Sequence, residues 1–138
     1  MSRTYVITGA ASGIGKATAD LLIERGHRVI GVDLAGSDVN VDLTTADGRA
    51  EMISGVTEHS GGSIDAIIAN AGLATPTART VAVNYFGAVA TLEGLRPLLL
   101  GSEAPRAVAT VSMASLFPSD EALLTALLAG DEVAALHR

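Results

Sequence analysis

A glycine-rich segment near the amino terminus, TGAASGIG over Thr8–Gly15, is the feature that most restricts how this chain can fold. The β-branched and aromatic residues of Thr4–Thr8 come directly before it and predict a strand. The residues that follow, Gly13–Arg25, carry apolar side chains at helical spacing, and Gly26 is well placed to end that helix. A glycine turn between a strand and a helix is the local structure that holds the pyrophosphate of a dinucleotide, so we expect such a ligand here.

The three glycines of this segment have separate expected roles. Gly9 allows a tight turn without Cβ clashes, Gly13 lets a pyrophosphate approach the backbone, and Gly15 lets the helix pack closely on the strand. The helix amino terminus then presents unpaired N–H groups and a positive dipole to the phosphates. The cofactor-binding residues expected from this segment are Gly9, Ala11, Ser12, Gly13, Ile14 and Gly15.

An acidic residue, Asp33, follows the predicted second strand Arg28–Val32, about 20 residues after the turn. A carboxylate at that place accepts hydrogen bonds from the adenosine ribose hydroxyls and repels a 2′-phosphate. The sequence therefore predicts NAD rather than NADP, with Asp33 and the adjacent Leu34 among the cofactor-binding residues. The alternative is that Asp33 only starts a turn and the glycines are only turn residues, which requires three separate features to coincide.

Strands and helices alternate along the rest of the chain. Further elements are predicted as strands at 39–43, 65–69 and 107–111, helices at 44–60 and 80–100, and two short helices split at Gly130 within 120–138. This alternation predicts an α/β fold, with a doubly wound parallel sheet and helices on both faces in three layers. No linker or repeat interrupts it, so we expect 1–138 to form a single dinucleotide-binding domain.

Composition narrows the classes of partner. The net charge is −6 and Lys16 is the only lysine, so nucleic acid is not an expected partner. The absence of cysteine excludes a disulfide framework and a thiolate zinc site, and the three histidines have no metal-site spacing, so no metal is expected. No apolar run reaches the roughly 18–20 residues of a membrane span, so we expect no membrane partner and a cytoplasmic location.

Several short motifs occur in a characteristic order. After Thr8–Gly15 and Asp33 they are Asp42-Leu43, NAG at 70–72, VNYFGA at 83–88 and VSMAS at 111–115. In this order the sequence resembles the short-chain dehydrogenase/reductase family over residues 1 to about 115. The resemblance implies a Rossmann-like sheet, of about five strands here, in an NAD-dependent oxidoreductase acting on a small-molecule secondary alcohol or ketone. The segment from Asp33 to Asp42 and the VNYFGA run are most similar to bacterial hydroxysteroid dehydrogenase/carbonyl reductases, which adds a hydroxysteroid to the candidate substrates.

The resemblance also implies roles for individual residues. Two residues, Asp42 and Leu43, would lie beside the adenine. The cofactor would be lined by Asn70, Ala71 and Gly72. Asn84 corresponds to the helix asparagine that helps to hold a water in the proton relay, and its alternative is to satisfy neighbouring backbone groups. Ser112 corresponds to the serine that hydrogen-bonds the substrate oxygen, and its alternative is a strand-end residue without a catalytic role.

The proton chemistry of the family needs a tyrosine base and a lysine four residues later, because an unassisted tyrosine with a pKa near 10 is a poor base at neutral pH. The only tyrosines are Tyr5 and Tyr85, and Gly9 and Val89 stand four residues after them. We therefore expect a chain that is truncated relative to the family and inactive by itself. The alternatives to an enzyme are a non-catalytic NAD-binding module and an inactive truncation product.

The predicted strand at 107–111 would then form a sheet edge with unpaired backbone groups. Three outcomes are open at this point. The edge pairs with another copy, so that the chain is a homo-oligomer, or the apolar tail at 120–138 covers it, or it stays prone to aggregation. The alternative for the tail is that its helices belong to the substrate loop of a complete enzyme and fold only when the rest is present.

Overall fold

The computed structural model describes all 138 residues and contains a sheet of five parallel strands. The strands are β1 (Thr4–Thr8), β2 (Arg28–Asp33), β3 (Val39–Asn40), β4 (Ala66–Ala69) and β5 (Arg106–Ala109). Their spatial order is β3-β2-β1-β4-β5, so the winding direction reverses between β1 and β4. A reversal of this kind leaves a crevice at the carboxyl ends of the strands. The predicted Rossmann-like α/β fold with about five strands is confirmed.

Helices connect the strands and form the tail. They are α1 (Gly13–Glu24), α2 (Ala46–Ser60), α3 (Ala78–Val81), α4 (Ala88–Leu95), α5 (Glu121–Leu128) and α6 (Glu132–Leu136). The segment Ala82–Gly87 between α3 and α4 is π-helical, and short 3₁₀ turns occupy Arg96–Leu99 and Met113–Leu116. None of these helices has both the length and the apolar character that crossing a bilayer requires.

Two elements differ from the prediction. Strand β3 has two residues rather than the predicted 39–43, because the Asp42 carboxylate turns the chain by accepting hydrogen bonds from the N–H and hydroxyl of Thr44, at 2.9 and 2.6 Å. The predicted helix 80–100 is not one regular α-helix, since a π-helical segment divides it and a 3₁₀ turn that contains Pro97 ends it. The two tail helices are separated at Gly130, as predicted.

Hydrophobic side chains on alternate strand residues pack on opposite faces of the sheet. The larger cluster lies between the sheet and helices α2 and α4 and contains Val6, Ile30, Val32, Val39, Val41, Leu43, Met52, Val56, Ile64, Ile67, Leu95 and Leu99. On the opposite face Ile7 of β1 packs with Ala10 and with Ala19 of α1. Helices therefore cover both faces of the sheet, which gives the predicted three layers.

Strand β5 is an exposed edge. All four of its residues are exposed, and Val108 retains 58 % of its accessible surface. The tail helix α6 lies instead against α3 and the π-helical segment, where its Glu132 forms an ion pair of 2.7 Å with Arg49 of α2. The expectation that the tail covers this edge is therefore wrong, because the ion pair holds the tail near α2.

The amino ends of three strands meet at Asp65, directly before β4. Its two carboxylate oxygens accept hydrogen bonds from the Thr4 N–H at 2.8 Å and from the Ser102 hydroxyl at 2.7 Å. Its backbone carbonyl accepts a third from the N–H of Arg106 at 3.1 Å. The Ser102 bond, then the Thr4 bond and the nearby charge of Arg3, hold the pKa of Asp65 below its ordinary value, against the opposing effect of partial burial.

We expect Asp65→Asn to lower the free energy of unfolding at neutral pH by about 1–3 kcal/mol, because a charged acceptor is lost from two hydrogen bonds. The folded-state pKa of Asp65 lies below the unfolded one, which is about 4. The stabilisation is therefore fully present above the unfolded-state pKa and is lost as pH falls through the folded-state pKa. Urea unfolding at neutral pH and in steps below about pH 4 should show the difference between wild type and variant shrinking with acidity.

The control is Glu103→Gln, which removes an exposed carboxyl that makes no side-chain hydrogen bond. It should leave the free energy of unfolding within about 0.5 kcal/mol of wild type. An Asp65→Asn difference that stays constant down to the lowest pH would contradict the assigned role.

Candidate functional site

A cleft of about 420 Å³ opens at the carboxyl ends of the strands, where the winding of the sheet reverses. The predicted cofactor-binding residues that line it are Gly9, Ser12, Gly13, Ile14, Asp33, Leu34, Asp42, Leu43, Asn70, Ala71 and Gly72. Ala11 and Gly15 do not line the cleft, but Ala11 donates its N–H to Asp33 and Gly15 lies against the Gly9 carbonyl. Four segments that are distant in sequence thus meet at one concave surface.

The glycine turn owes its shape to three different constraints. Gly9 has φ +72°, and a Cβ there would lie 3.0 Å from the Ala71 Cα. A Cβ on Gly15 would overlap the Gly9 carbonyl oxygen and lie 2.7 Å from its carbonyl carbon. Gly13 has φ +55°, but a Cβ there would meet no atom within 4 Å. Gly9 and Gly15 are thus required by packing, whereas Gly13 keeps open the place where the amino terminus of α1 faces the cleft.

Asp33 anchors the turn to the end of β2. Its Oδ2 accepts a hydrogen bond from the Ala11 N–H at 3.0 Å, and its Oδ1 accepts one from the Leu34 N–H at 2.7 Å. Each carboxylate oxygen has a further lone pair that can face a ligand. The acid predicted to select the ligand therefore also holds the turn in place.

Threonine and asparagine side chains join the ends of three strands. The Thr8 hydroxyl at the end of β1 accepts hydrogen bonds from the N–H groups of Asn70 and Ala71, both at 3.0 Å. Asn70 Oδ1 in turn accepts one from the Thr110 hydroxyl, which follows β5, at 2.9 Å. These bonds fix the loop after β4 at the floor of the cleft.

The far wall of the cleft carries a second carboxylate, Asp42. The hydroxyl and the N–H of Thr44 lower the pKa of Asp42, although partial burial opposes them, and the charges of Arg79 and Arg49 lower it further. Asp42 is therefore ionised at neutral pH. Arg79 lines the same cleft with an exposed side chain, so the cleft presents both signs of charge.

The two predicted catalytic residues, Asn84 and Ser112, do not line the cleft. Asn84 lies in the π-helical segment, where its Oδ1 accepts a hydrogen bond from the Leu73 N–H at 2.8 Å and its Nδ2 donates one to the Leu73 carbonyl at 2.9 Å. The Ser112 Oγ accepts a hydrogen bond from the Ala114 N–H at 3.1 Å and begins a 3₁₀ turn. Both side chains thus have structural partners, and their catalytic roles stay predictions.

Further lining residues were not predicted from the sequence. They are Val32, Val41, Thr44, Leu73, Arg79, Val83 and Thr110. Thr110 directly follows β5, so the rule that ligands bind at the carboxyl ends of parallel strands could have identified it. A lone arginine such as Arg79 has no such signal in the sequence.

No family model matches the chain. It is 38 % identical over 135 residues to 3-alpha-hydroxysteroid dehydrogenase/carbonyl reductase of Comamonas testosteroni, covering 94 % of this chain and 52 % of that protein. It is 41 % identical over 92 residues to cis-4-hydroxycyclohexanecarboxylate dehydrogenase of Sinomonas cyclohexanicum, covering 55 % of this chain and 36 % of that protein.

Among solved structures, the 3-alpha-hydroxysteroid dehydrogenase of Pseudomonas sp. B-0831 complexed with NADH superposes with a TM-score of 0.92 at 40 % identity. That match covers 97 % of this chain and 55 % of the solved one. The chain thus spans about half the length of these two hydroxysteroid dehydrogenases, at 52 % and 55 %.

Gly13 and Gly15 should respond differently to substitution by alanine. We expect Gly15→Ala to lower the free energy of unfolding by about 3 kcal/mol or more, because the added methyl overlaps backbone and α1 must move. Gly13→Ala should cost only about 1–2 kcal/mol, since its methyl meets no atom and only the left-handed backbone is strained. Chemical denaturation followed by circular dichroism measures both, and equal losses would contradict this view of the turn.

Proposed function

Because this chain belongs to the short-chain dehydrogenase/reductase family, we propose that its cleft binds NAD(H) for the interconversion of a secondary alcohol and a ketone. The observation that carries the proposal is the turn at Thr8–Gly15, where Gly13 leaves the amino terminus of α1 open to the cleft. The names of the similar proteins extend the proposal to a hydroxysteroid substrate. The cytoplasmic location and the extent of one domain over 1–138 stay predictions.

The residues of the cleft fit a dinucleotide. An open Gly13 gives a pyrophosphate room to approach, and the first N–H groups of α1 have no side-chain cap and are free to donate to it. We assign the adenosine ribose to Asp33 and Leu34. The adenine is assigned to Asp42 and Leu43, and the remaining length of the cofactor to the loop Asn70–Gly72.

When bound, NAD(H) supplies hydride transfer at nicotinamide C4. In our proposal the Ser112 hydroxyl donates a hydrogen bond to the substrate oxygen, for which its proton is free, since in the structure this hydroxyl accepts from Ala114. Asn84 supports the loop after β4 through its two hydrogen bonds to Leu73, the residue that follows Asn70–Gly72. The water-holding part in proton transfer that the family assigns to Asn84 is a further expectation.

Within these 138 residues no tyrosine has a lysine four positions on to assist it as a base. Tyr5 lies in β1 and stacks at a tilt against His27, and Tyr85 packs edge-on against Phe86 in the π-helical segment. We therefore propose that this chain by itself binds NADH without turnover. Oxidation of any secondary alcohol by the purified chain, above background, would contradict this part of the proposal.

We expect Asp33→Asn to weaken NADH binding about tenfold or more, because the ribose hydroxyls lose a charged acceptor. Binding of NADPH should not weaken and should improve, since the negative charge that repels a 2′-phosphate is gone. The amide keeps one oxygen that can accept from the Ala11 N–H, so this link to the turn is preserved, whereas the bond from the Leu34 N–H is lost. Fluorescence titration with both dinucleotides measures the ratio of dissociation constants.

A suitable control is Asp47→Asn, which neutralises an exposed carboxyl on α2 that does not line the cleft. It should leave both dissociation constants within about twofold of wild type. Wild-type chain that binds no NADH at millimolar concentration would refute the proposed function, and an unchanged NADH to NADPH ratio in Asp33→Asn would refute only the role of Asp33.

A second candidate function, a non-catalytic NAD-binding module that associates with another copy, is favoured by strand β5. The N–H groups of Arg106 and Thr110 bond to the carbonyls of Asp65 and Ala69 on the β4 side. Because backbone groups alternate in direction along a strand, the N–H groups of Ala107 and Ala109 point away from β4 and lack a partner. An exposed edge of this kind is a template for pairing.

We expect sedimentation velocity to show concentration-dependent self-association of the wild-type chain, and Ala107→Pro to abolish it. Proline removes one outward N–H and is tolerated on an edge strand when that N–H faces solvent. Ala107→Thr keeps the N–H and should associate as wild type does. A wild-type chain that sediments as a monomer at all concentrations, or a proline variant that still associates, would rule out pairing through this edge.

A further inference from the structure

A nearly buried arginine on α2, Arg49, lies beneath one wall of the cleft. Its Nε donates to the Leu43 carbonyl at 2.9 Å, and its Nη2 donates to the carbonyls of Thr44 and Ala82 at 3.3 and 3.2 Å. Its Nη1 and Nη2 also donate to the two carboxylate oxygens of Glu132, at 2.8 and 2.7 Å. One guanidinium thus joins the loop after β3, the π-helical segment and the tail.

Three of the residues around this guanidinium belong to the wall of the cleft or adjoin it. Leu43 and Thr44 line the cleft, and Ala82 directly precedes Val83, which also lines it. The Phe86 ring covers the guanidinium, with its centroid 5.7 Å from the Arg49 Cζ. The position of these carbonyls therefore depends on where the guanidinium is held.

Glu132 is the partner that holds it. The Arg49 side chain keeps 9 % of its exposure and Glu132 keeps 29 %, so the pair is largely shielded from water. A buried guanidinium that loses its carboxylate partner is strongly destabilised in that place and moves towards other acceptors. Another acceptor on the same wall is the Asp42 carboxylate, whose pKa the charge of Arg49 already lowers.

We propose that Arg49 is a positioning residue for the cofactor cleft and that Glu132, on the tail helix α6, fixes it, so that dinucleotide affinity depends on the docking of the tail. This inference rests on the proposed function. Leu43 and Asp42 are the residues assigned to adenine, so the dependence falls on the adenosine end of the ligand. The hydrogen-bond partners of Arg49 do not include the turn at Thr8–Gly15, so we expect the turn to be unaffected.

The test compares Glu132→Gln with Glu121→Gln in the full chain. Both residues are the first of a short tail helix, so both changes remove the same favourable charge from a helix amino terminus. Only Glu132 pairs with Arg49. Isothermal titration with NADH, ADP-ribose and nicotinamide mononucleotide, at physiological ionic strength, separates the two ends of the ligand.

We expect Glu132→Gln to raise the dissociation constants of NADH and ADP-ribose about fivefold, at the low end of typical couplings between sites, and to leave that of nicotinamide mononucleotide unchanged. Glu132→Asp keeps the charge on a shorter side chain, so its dissociation constants should lie between those of wild type and Glu132→Gln. It also serves as the milder variant if the Glu132→Gln chain does not fold. The amide resonances of Thr44 and Val83 should move in both Glu132 variants and not in Glu121→Gln.

Several results would overturn the inference. If wild type binds NADH tightly and both Glu132 variants bind it with unchanged affinity, the inference about Arg49 and Glu132 is wrong and the proposed function remains intact. Equal tightening of all three ligands would mean that Glu132 acts only through net charge. A wild-type chain that binds no ligand removes the proposed function and this inference together.

Discussion

Backbone contact between α1 and the turn after β1 is the constraint on which the cleft depends. Gly15 sits against the Gly9 carbonyl with no room for a Cβ, so the helix starts as close to the strand as two backbones can come. At that distance the amino terminus of α1 faces the cleft and Gly13 stands open. Asp33 then bonds the Ala11 N–H and joins β2 to the same unit.

The remainder of the site is attached to this unit by polar side chains bonded to backbone. The Thr8 hydroxyl holds the N–H groups of Asn70 and Ala71, and Asn70 is held by Thr110. At the other end of the strands Asp65 makes the corresponding link between β1, β4 and the residue that begins β5. In a chain with few aromatic residues, these directed bonds fix the relative positions of strand ends that aliphatic packing alone would leave less defined.

The parts of the fold and site that could be predicted are those determined over short stretches of sequence. The strand, turn and helix around Thr8–Gly15 and the acid at the end of β2 follow from local pattern, and the structure places them as the sequence predicts. The π-helical register around Asn84 and the early end of β3 depend on contacts with Leu73 and Thr44, which periodicity does not contain. The sequence left two roles open for Asn84, holding a water in proton transfer or bonding neighbouring backbone groups. The fold reveals that its side chain bonds the backbone of Leu73.

The position of the tail could not be predicted because it depends on an ion pair between Arg49 and Glu132, 83 residues apart. In the sequence, Arg49 is one polar residue on a helix of mixed character, and nothing local distinguishes it from the exposed arginines. The apolar residues of the tail alone favoured burial against any free apolar surface, including β5. The pair between Arg49 and Glu132 is thus a contact of the tail that its hydrophobic pattern alone does not predict.

In the proposed binding mode, different groups of the cleft would provide affinity for the phosphates and selectivity between dinucleotides. Its expected phosphate contacts come from backbone N–H groups at the start of α1, and the one lysine, Lys16, is paired with Asp20 on the outer surface at 2.6 Å. The side-chain charges sit elsewhere, with the carboxylates of Asp33 and Asp42 where ribose hydroxyls and adenine would donate hydrogen bonds. In the proposed binding mode, discrimination against a 2′-phosphate would rest on Asp33, whose carboxylate accepts a hydrogen bond from the Ala11 N–H of the turn. The Ala11 N–H thus orients the same carboxylate that is proposed to select the ligand, and the carboxylate in turn holds the turn against β2.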